Sequence, residues 1–217
     1  TNAHRGALDG DADGTVGGNY TATFKTATTP SVHLRLPDFA RGPGQTVNVT
    51  NVGSGLPITL ISDGTVTSLQ LRVRADTRTI EISEIRRGVD LPADASLSVT
   101  PVMGSPGLFD VTITCSTALP VGSLKLLSLT GTVPMTAKLG DAGSVVLESV
   151  RVNGKVNELA GDAALDIVAY PGDLNFDGAY TTADVTLVGR VGTGLMTSMS
   201  QNDDVDVAVL ADVDGNG

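Results

Sequence analysis

A chain of 217 residues with 14 Lys and Arg against 24 Asp and Glu has a formal net charge of −10. That balance argues against a nucleic acid partner, because a phosphate backbone is held by concentrated positive charge. Aromatic residues make up 3%, Trp is absent and there are two His, which leaves little for ring-stacking platforms or for neutral-pH acid–base chemistry.

The length suffices for one large β domain, or for a medium domain with a small one. Glu occurs only at positions 81, 84, 148 and 158; every other acidic residue is Asp, which suits turns and cation loops. With 26 Gly, 10 Pro and abundant Thr, Ser and Val, the composition is that of a strand-and-turn protein. No apolar run reaches the length of a membrane span, and Thr1 opens the chain without a signal-peptide pattern, as expected of a mature or excised fragment.

Residues 1–31 read as an N-terminal segment that belongs either to the following domain or to one upstream. Asp9, Asp11 and Asp13 precede Gly14 at the 1, 3, 5, 6 spacing of an EF-hand-type calcium loop, but position 12 is Tyr20 rather than a carboxylate. Either Asn19, a backbone carbonyl or a distant side chain completes a Ca2+ site there, or the cluster is a solvated acidic turn. A strand is expected over 20–25.

From 32 to 168 the pattern is strand and turn almost throughout. In 68–75, Leu69, Leu71, Val73 and Ala75 alternate with Ser68, Gln70, Arg72 and Arg74, which predicts one buried and one solvated face. Further strands are expected at 32–36, 45–50, 57–62, 79–86, 96–101, 108–115, 123–133, 144–152 and 164–168, between turn signals such as Arg41-Gly42-Pro43-Gly44 and Gly104-Ser105-Pro106-Gly107. About ten short strands without a helix predict a β-sandwich. Cys115 continues the alternation of Phe109, Val111 and Ile113 and reads as a small core residue; Phe109 is also expected in the core. His33 alternates out of phase with Val32, Leu34 and Leu36 and is expected to face solvent.

The succession of a Gly-Gln-Thr-Val strand, PITLIS, SLQLRVRAD, TIEISEIRRG and ALPVGSLKLLSLTGTVP resembles a cohesin over residues 32–168. The resemblance implies a jelly-roll sandwich, related in fold to some carbohydrate-binding modules, that acts as a receptor for dockerins. Arg72 and Arg74, with Arg86 and Arg87 near the end of the next strand, form the one basic concentration in the chain. They either steer an acidic partner onto the sheet or pair across strands with Glu81 and Glu84.

Residues 169–217 carry the sharpest motif. In Asp173–Asp184, DLNFDGAYTTAD, the side chains of Asp173, Asn175 and Asp177, the backbone carbonyl of Ala179, Thr181 directly or through water, and Asp184 fall at loop positions 1, 3, 5, 7, 9 and 12. Gly178 at position 6 permits the sharp turn. The usual closing residue is Glu, so Asp184 is a shorter substitute. Ala183, Leu187, Val188 and Val191 recur at helical spacing after the loop, and Gly192 and Gly194 end the pattern.

A calcium loop followed by a helix, entered from the turn Tyr170-Pro171-Gly172, resembles a dockerin repeat, a module of bacterial extracellular and cell-surface proteins. The resemblance implies that Thr182 and Ala183, at loop positions 10 and 11, touch a protein partner. A second loop begins at Asp212, with Asp214, Asn216 and Gly217 at positions 3, 5 and 6; half a loop cannot surround an ion, so its completion is expected beyond Gly217.

The link from Ala169 to Gly172 reaches at most about 14 Å. The calcium segment is therefore expected against the end of its own sandwich, with Tyr170, Phe176 and an inward-packed Tyr180 at the junction. No Ser, His and Asp constellation or phosphate-binding glycine loop is present. The expectation is a mainly β, non-catalytic, calcium-stabilised extracellular module for assembly or adhesion through a protein partner. The rival is a carbohydrate-binding module attached to a polysaccharide-degrading enzyme.

Overall fold

The computed structural model describes residues 32–47, 55–197 and 206–211. The acidic clusters at Asp9, Asp11 and Asp13 and at Asp212, Asp214 and Asn216, the strand expected over 20–25 and the end of that over 45–50 lie outside the described residues.

Two sheets face each other across one core. The first runs in the order β1 (His33–Arg35), β4 (Leu56–Asp63), β9 (Val121–Thr132) and β3 (Thr46–Val47), with β6 (Glu81–Arg87) also paired to β9. The second runs β2 (Phe39–Arg41), β12 (Asp162–Val168), β10 (Ala142–Val152), β5 (Ser68–Ala75), β8 (Leu108–Thr114) and β7 (Ser96–Pro101), and β11 (Lys155–Val156) pairs with β10. Pairing is antiparallel except between β2 and β12. The architecture is the expected mainly β sandwich, followed by helices α1 (Thr182–Gly192) and α2 (Val207–Ala211).

Alternation places the core. Leu69, Leu71, Val73 and Ala75 of β5 meet Leu56, Ile58 and Leu60 of β4 inside the sandwich, and Cys115 is buried with them. Phe109 is only partly buried but packs on the same cluster, and His33 is half-buried. In β9 the alternation breaks: Leu126 and Leu127 are both buried, because a register shift opposite Ile58 and Thr59 turns two successive side chains inward. Two strands escaped the sequence pattern. β2 spans three residues between Pro37 and Gly42, too few to show a period of two, and β11 spans two.

The second half of β12 is buried on both sides. Ala164 and Val168 join the main core, while Ile167 and Ala169 join a second cluster with Ala40, Leu174, Val207 and Leu210, against which Leu165, Leu187, Val188 and Val191 pack. This explains the near-continuous apolar run of the strand. α1 and α2 thus cover the outer face of the sheet at β12 and β2. Tyr170 is half-buried and Phe176 packs on this second cluster, but Tyr180 is 69% exposed, contrary to the expected inward packing. It lies within residues 177–183, which are exposed throughout, so no apolar surface covers its ring.

Asp166 interrupts the apolar run from the inner side. It is 1% exposed, and its Oδ1 has no hydrogen-bond partner. Gly143 lies opposite it in the ladder, where a Cβ would collide with Thr79 Oγ1 and crowd Asp166 Oδ1. Burial pushes the Asp166 carboxyl up to about 6, with the Thr79 hydroxyl pulling it down and the charge of Asp76 adding to the rise. Between the ordinary Asp range and about pH 6, the folded chain therefore retains a proton that the unfolded chain has released. The resulting stability is complete below the ordinary Asp range and is lost as pH rises through about 6. Asp166→Asn is expected to raise the melting temperature above pH 7 by roughly 2–6 °C and to flatten the stability profile between pH 4 and 6, as read by thermal unfolding across pH.

Candidate metal centre

The loop from Asp173 to Asp184 leaves the end of β12 through Tyr170-Pro171-Gly172. Asp173 N donates to Tyr170 O at 2.9 Å, closing the turn, and Gly172 N donates to Leu210 O at 2.8 Å, tying the loop entry to α2. Gly178 adopts φ +79°, the left-handed conformation expected at loop position 6, and Phe176 at position 4 holds φ +60°.

Backbone donors bend the loop around its own carboxylates. Asp173 Oδ2 accepts from Gly178 N at 2.9 Å, Asn175 Oδ1 from Asp177 N at 3.0 Å, and Asp177 Oδ1 from Ala179 N at 2.8 Å. Asn175 Nδ2 donates to Asp177 Oδ2 at 2.8 Å. Asp184 Oδ1 accepts from Leu174 N at 3.2 Å, and its Oδ2 accepts from Thr181 N at 2.8 Å and Thr181 Oγ1 at 3.0 Å.

Asp184 has a second task. Thr181 is the N-cap of α1 and accepts from Ala183 N, while Asp184 at N3 closes a capping box on the Thr181 backbone. The Thr181 backbone N–H, helped by the Thr181 hydroxyl, holds the Asp184 carboxyl below its ordinary range against the opposing effect of burial. The helix start and the closing loop position thus share one side chain. That role is visible in the Thr-x-x-Asp spacing once the helix start is known. Leu174 was not singled out by the motif: its N–H supports Asp184 while its side chain is buried in the seam against β12.

Asp173, Asp177 and Asp184 each offer an oxygen, and these three oxygens lie within 4.8 Å of one another. Asp173 is fully buried, and its Oδ1 lacks any hydrogen-bond partner. A buried, unpartnered carboxylate oxygen beside two further carboxylates is costly unless a cation completes it. The donors are all hard oxygens, with Asn175 and Thr181 within the same turn, which suits Ca2+ rather than a metal that prefers nitrogen or sulfur. Ala179 is exposed, and Thr182 and Ala183 are exposed on the first turn of α1.

The arginines are arranged differently from the cross-strand pairing with Glu81 and Glu84. β5 and β6 lie in different sheets, so Arg72 and Arg74 cannot meet the carboxylates of β6. Arg72 pairs instead with Asp110 of β8 at 2.8 Å, and Arg74 pairs with Glu148 of β10. Arg86 and Arg87 belong to the other sheet, where Arg87 donates to the Ala95 and Pro92 carbonyls. The single basic concentration is therefore divided between two sheets.

No protein-family model and no curated protein matches the chain. Solved cohesin structures match its fold. A cohesin from Clostridium acetobutylicum superposes with TM-score 0.51 at 18% identity, covering 65% of this chain and 92% of that one. A non-cellulosomal cohesin from the archaeon Archaeoglobus fulgidus gives 0.51 at 14% identity, covering 64% and 92%. The sixth cohesin of scaffoldin B from Acetivibrio cellulolyticus, solved in complex with a Cel5 dockerin, gives 0.51 at 14% identity, covering 64% and 100%. The sandwich of this chain has the cohesin fold.

A cation bound by the folded state alone would stabilise it by mass action, by about 2.7 kcal/mol at a hundredfold excess over the dissociation constant. Thermal unfolding in calcium is expected to run roughly 5–10 °C above that in a chelator, with most of the difference abolished in Asp173→Ala. Identical curves in the two conditions for the unsubstituted chain would remove the metal assignment.

Proposed function

We propose that this chain is a non-catalytic, calcium-stabilised recognition module that works outside the cell, with a cohesin-like sandwich that binds a protein partner and a dockerin-like loop and helix that bind Ca2+. The observation that carries the calcium half is the fully buried, unpartnered Oδ1 of Asp173 beside Asp177 and Asp184. Asp173, Asn175, Asp177, Ala179, Thr181 and Asp184 would hold the ion, and the ion would supply charge neutralisation and loop rigidity. The Asp-rich clusters at 9–13 and 212–216 repeat the same spacing and extend this reading to further sites.

The recognition half is supported by the cohesin fold and by the outer face of β5, β8 and β10. There Arg72, Arg74, Asp110 and Glu148 form two partly solvent-exposed ion pairs. Exposed pairs of this kind contribute little to folding and can exchange partners across an interface, so they favour orientation and specificity over bulk affinity. Thr182 and Ala183 on α1 would serve a separate contact, as the loop-and-helix element does in dockerins.

The rival reading, carbohydrate binding, has less support. Phe39 is buried and Phe109 packs against the core, so neither aromatic of the sandwich offers an open ring for stacking on a sugar.

The test is a panel of purified, calcium-loaded dockerin modules presented to the chain by surface binding kinetics, run beside a glycan array in calcium. Binding to a protein module, weakened about tenfold with slower association in the double variant Arg72→Glu/Arg74→Glu, is the expected result. Saccharide binding without any protein binding would establish the rival instead.

A further inference from the structure

We propose that the Asp173 loop is a cation-operated latch: an ion held by Asp173, Asp177 and Asp184 keeps α1 and α2 seated on the outer face of β12 and β2, and its loss frees that edge of the sandwich. The inference rests on the calcium reading above and concerns what the ion regulates.

Three observations connect the ion site to the sheet. Leu174 lies between two parts of the centre in sequence and space: Asp173 precedes it, its own N–H donates to Asp184 Oδ1 at 3.2 Å, and its side chain is buried against Ala40, Ile167 and Ala169. The loop cannot open without withdrawing this side chain from the seam. Gly172 N donates to Leu210 O at 2.8 Å, so the loop entry also holds α2, whose Val207 and Leu210 are buried in the same cluster. Asp184, besides facing the other carboxylates, closes the capping box that starts α1.

The elements on both sides of the seam need this support. α1 has 11 residues and α2 has 5, lengths at which an isolated helix is marginal in water. β2 is a three-residue edge strand: Phe39 is buried in the main core, and the strand joins the sheet through three parallel register pairs with β12, the bond from Ala169 N to Arg41 O at 3.1 Å and, just before it, that from Leu165 N to Asp38 Oδ1 at 2.7 Å, while its Ala40 faces the seam. The cover over Ala40, Ile167 and Ala169 is therefore built from short pieces whose common anchor is the acidic loop. Without a cation the three carboxylates repel and buried Asp173 seeks water, and both effects pull Leu174 outward.

Hydrogen exchange of the full chain in calcium and in EGTA, read by mass spectrometry, tests the latch, with isothermal calcium titration run in parallel. Amides of 39–41 and 162–169 are expected to exchange at least about tenfold faster in EGTA, while those of β8, across the sheet, change little. In Leu174→Ala, which keeps every carboxylate, the chain is expected to bind calcium while the difference at β2 shrinks. Calcium binding by the unsubstituted chain with unchanged exchange at β2 and β12 would overturn the latch and leave the calcium site standing. Absence of any binding heat would overturn both.

Discussion

The burial of the second half of β12 on both faces is the constraint on which the other features depend. A strand at that position in a two-layer sandwich would ordinarily show one face to water. Here Ala164 and Val168 face the main core, and Ile167 and Ala169 need a cover of their own. The chain supplies that cover from the segment that follows within a few residues, which is why a short link, an acidic loop and two short helices are folded back on the sheet rather than extended away from it.

The same strand carries the least favourable residue of the core. Asp166 places a carboxyl among apolar side chains with one oxygen unpartnered, and Gly143 gives it room only by having no side chain. Asp173, seven residues on, is just as buried and also has an unpartnered oxygen, but its surroundings differ. Asp166 faces the Thr79 hydroxyl and the core, with the charges of Asp76 and Arg78 acting on it in opposite directions, so proton uptake can relieve it. Asp173 faces two further carboxylates in a loop of backbone donors, where a cation would relieve all three acids at once. Two buried Asp residues thus point to different chemistry because their neighbours differ.

At β5, β8 and β10 the outer sheet face is polar and carries two cross-strand ion pairs. Arg72 and Arg74 retain their charges, but each is matched by a carboxylate from a neighbouring strand of the same sheet. A partner meeting this face would encounter alternating charge in a fixed register rather than a positive field. Such an arrangement would select for geometry, whereas a basic patch would accept many acidic surfaces.

The sequence by itself determined what local spacing can encode. The two-residue period of 68–75 placed β5, with Leu69, Leu71, Val73 and Ala75 inward, because pleating ties alternation directly to faces. The positions of Asp173, Asn175, Asp177, Gly178 and Asp184 were legible because a twelve-residue loop is closed by its own backbone. The tertiary structure decided what depends on which strands become neighbours. Alternation says that one face is buried but not what lies beside it. The partners of Arg72 and Arg74 were therefore out of reach until β5 was found between β8 and β10, with β6 in the opposite sheet. The same holds for three-residue β2, the paired inward Leu126 and Leu127, the exposed Tyr180 and the second task of Leu174. Each depends on contacts between residues far apart in the chain or on the path of a loop over a surface that only folding creates.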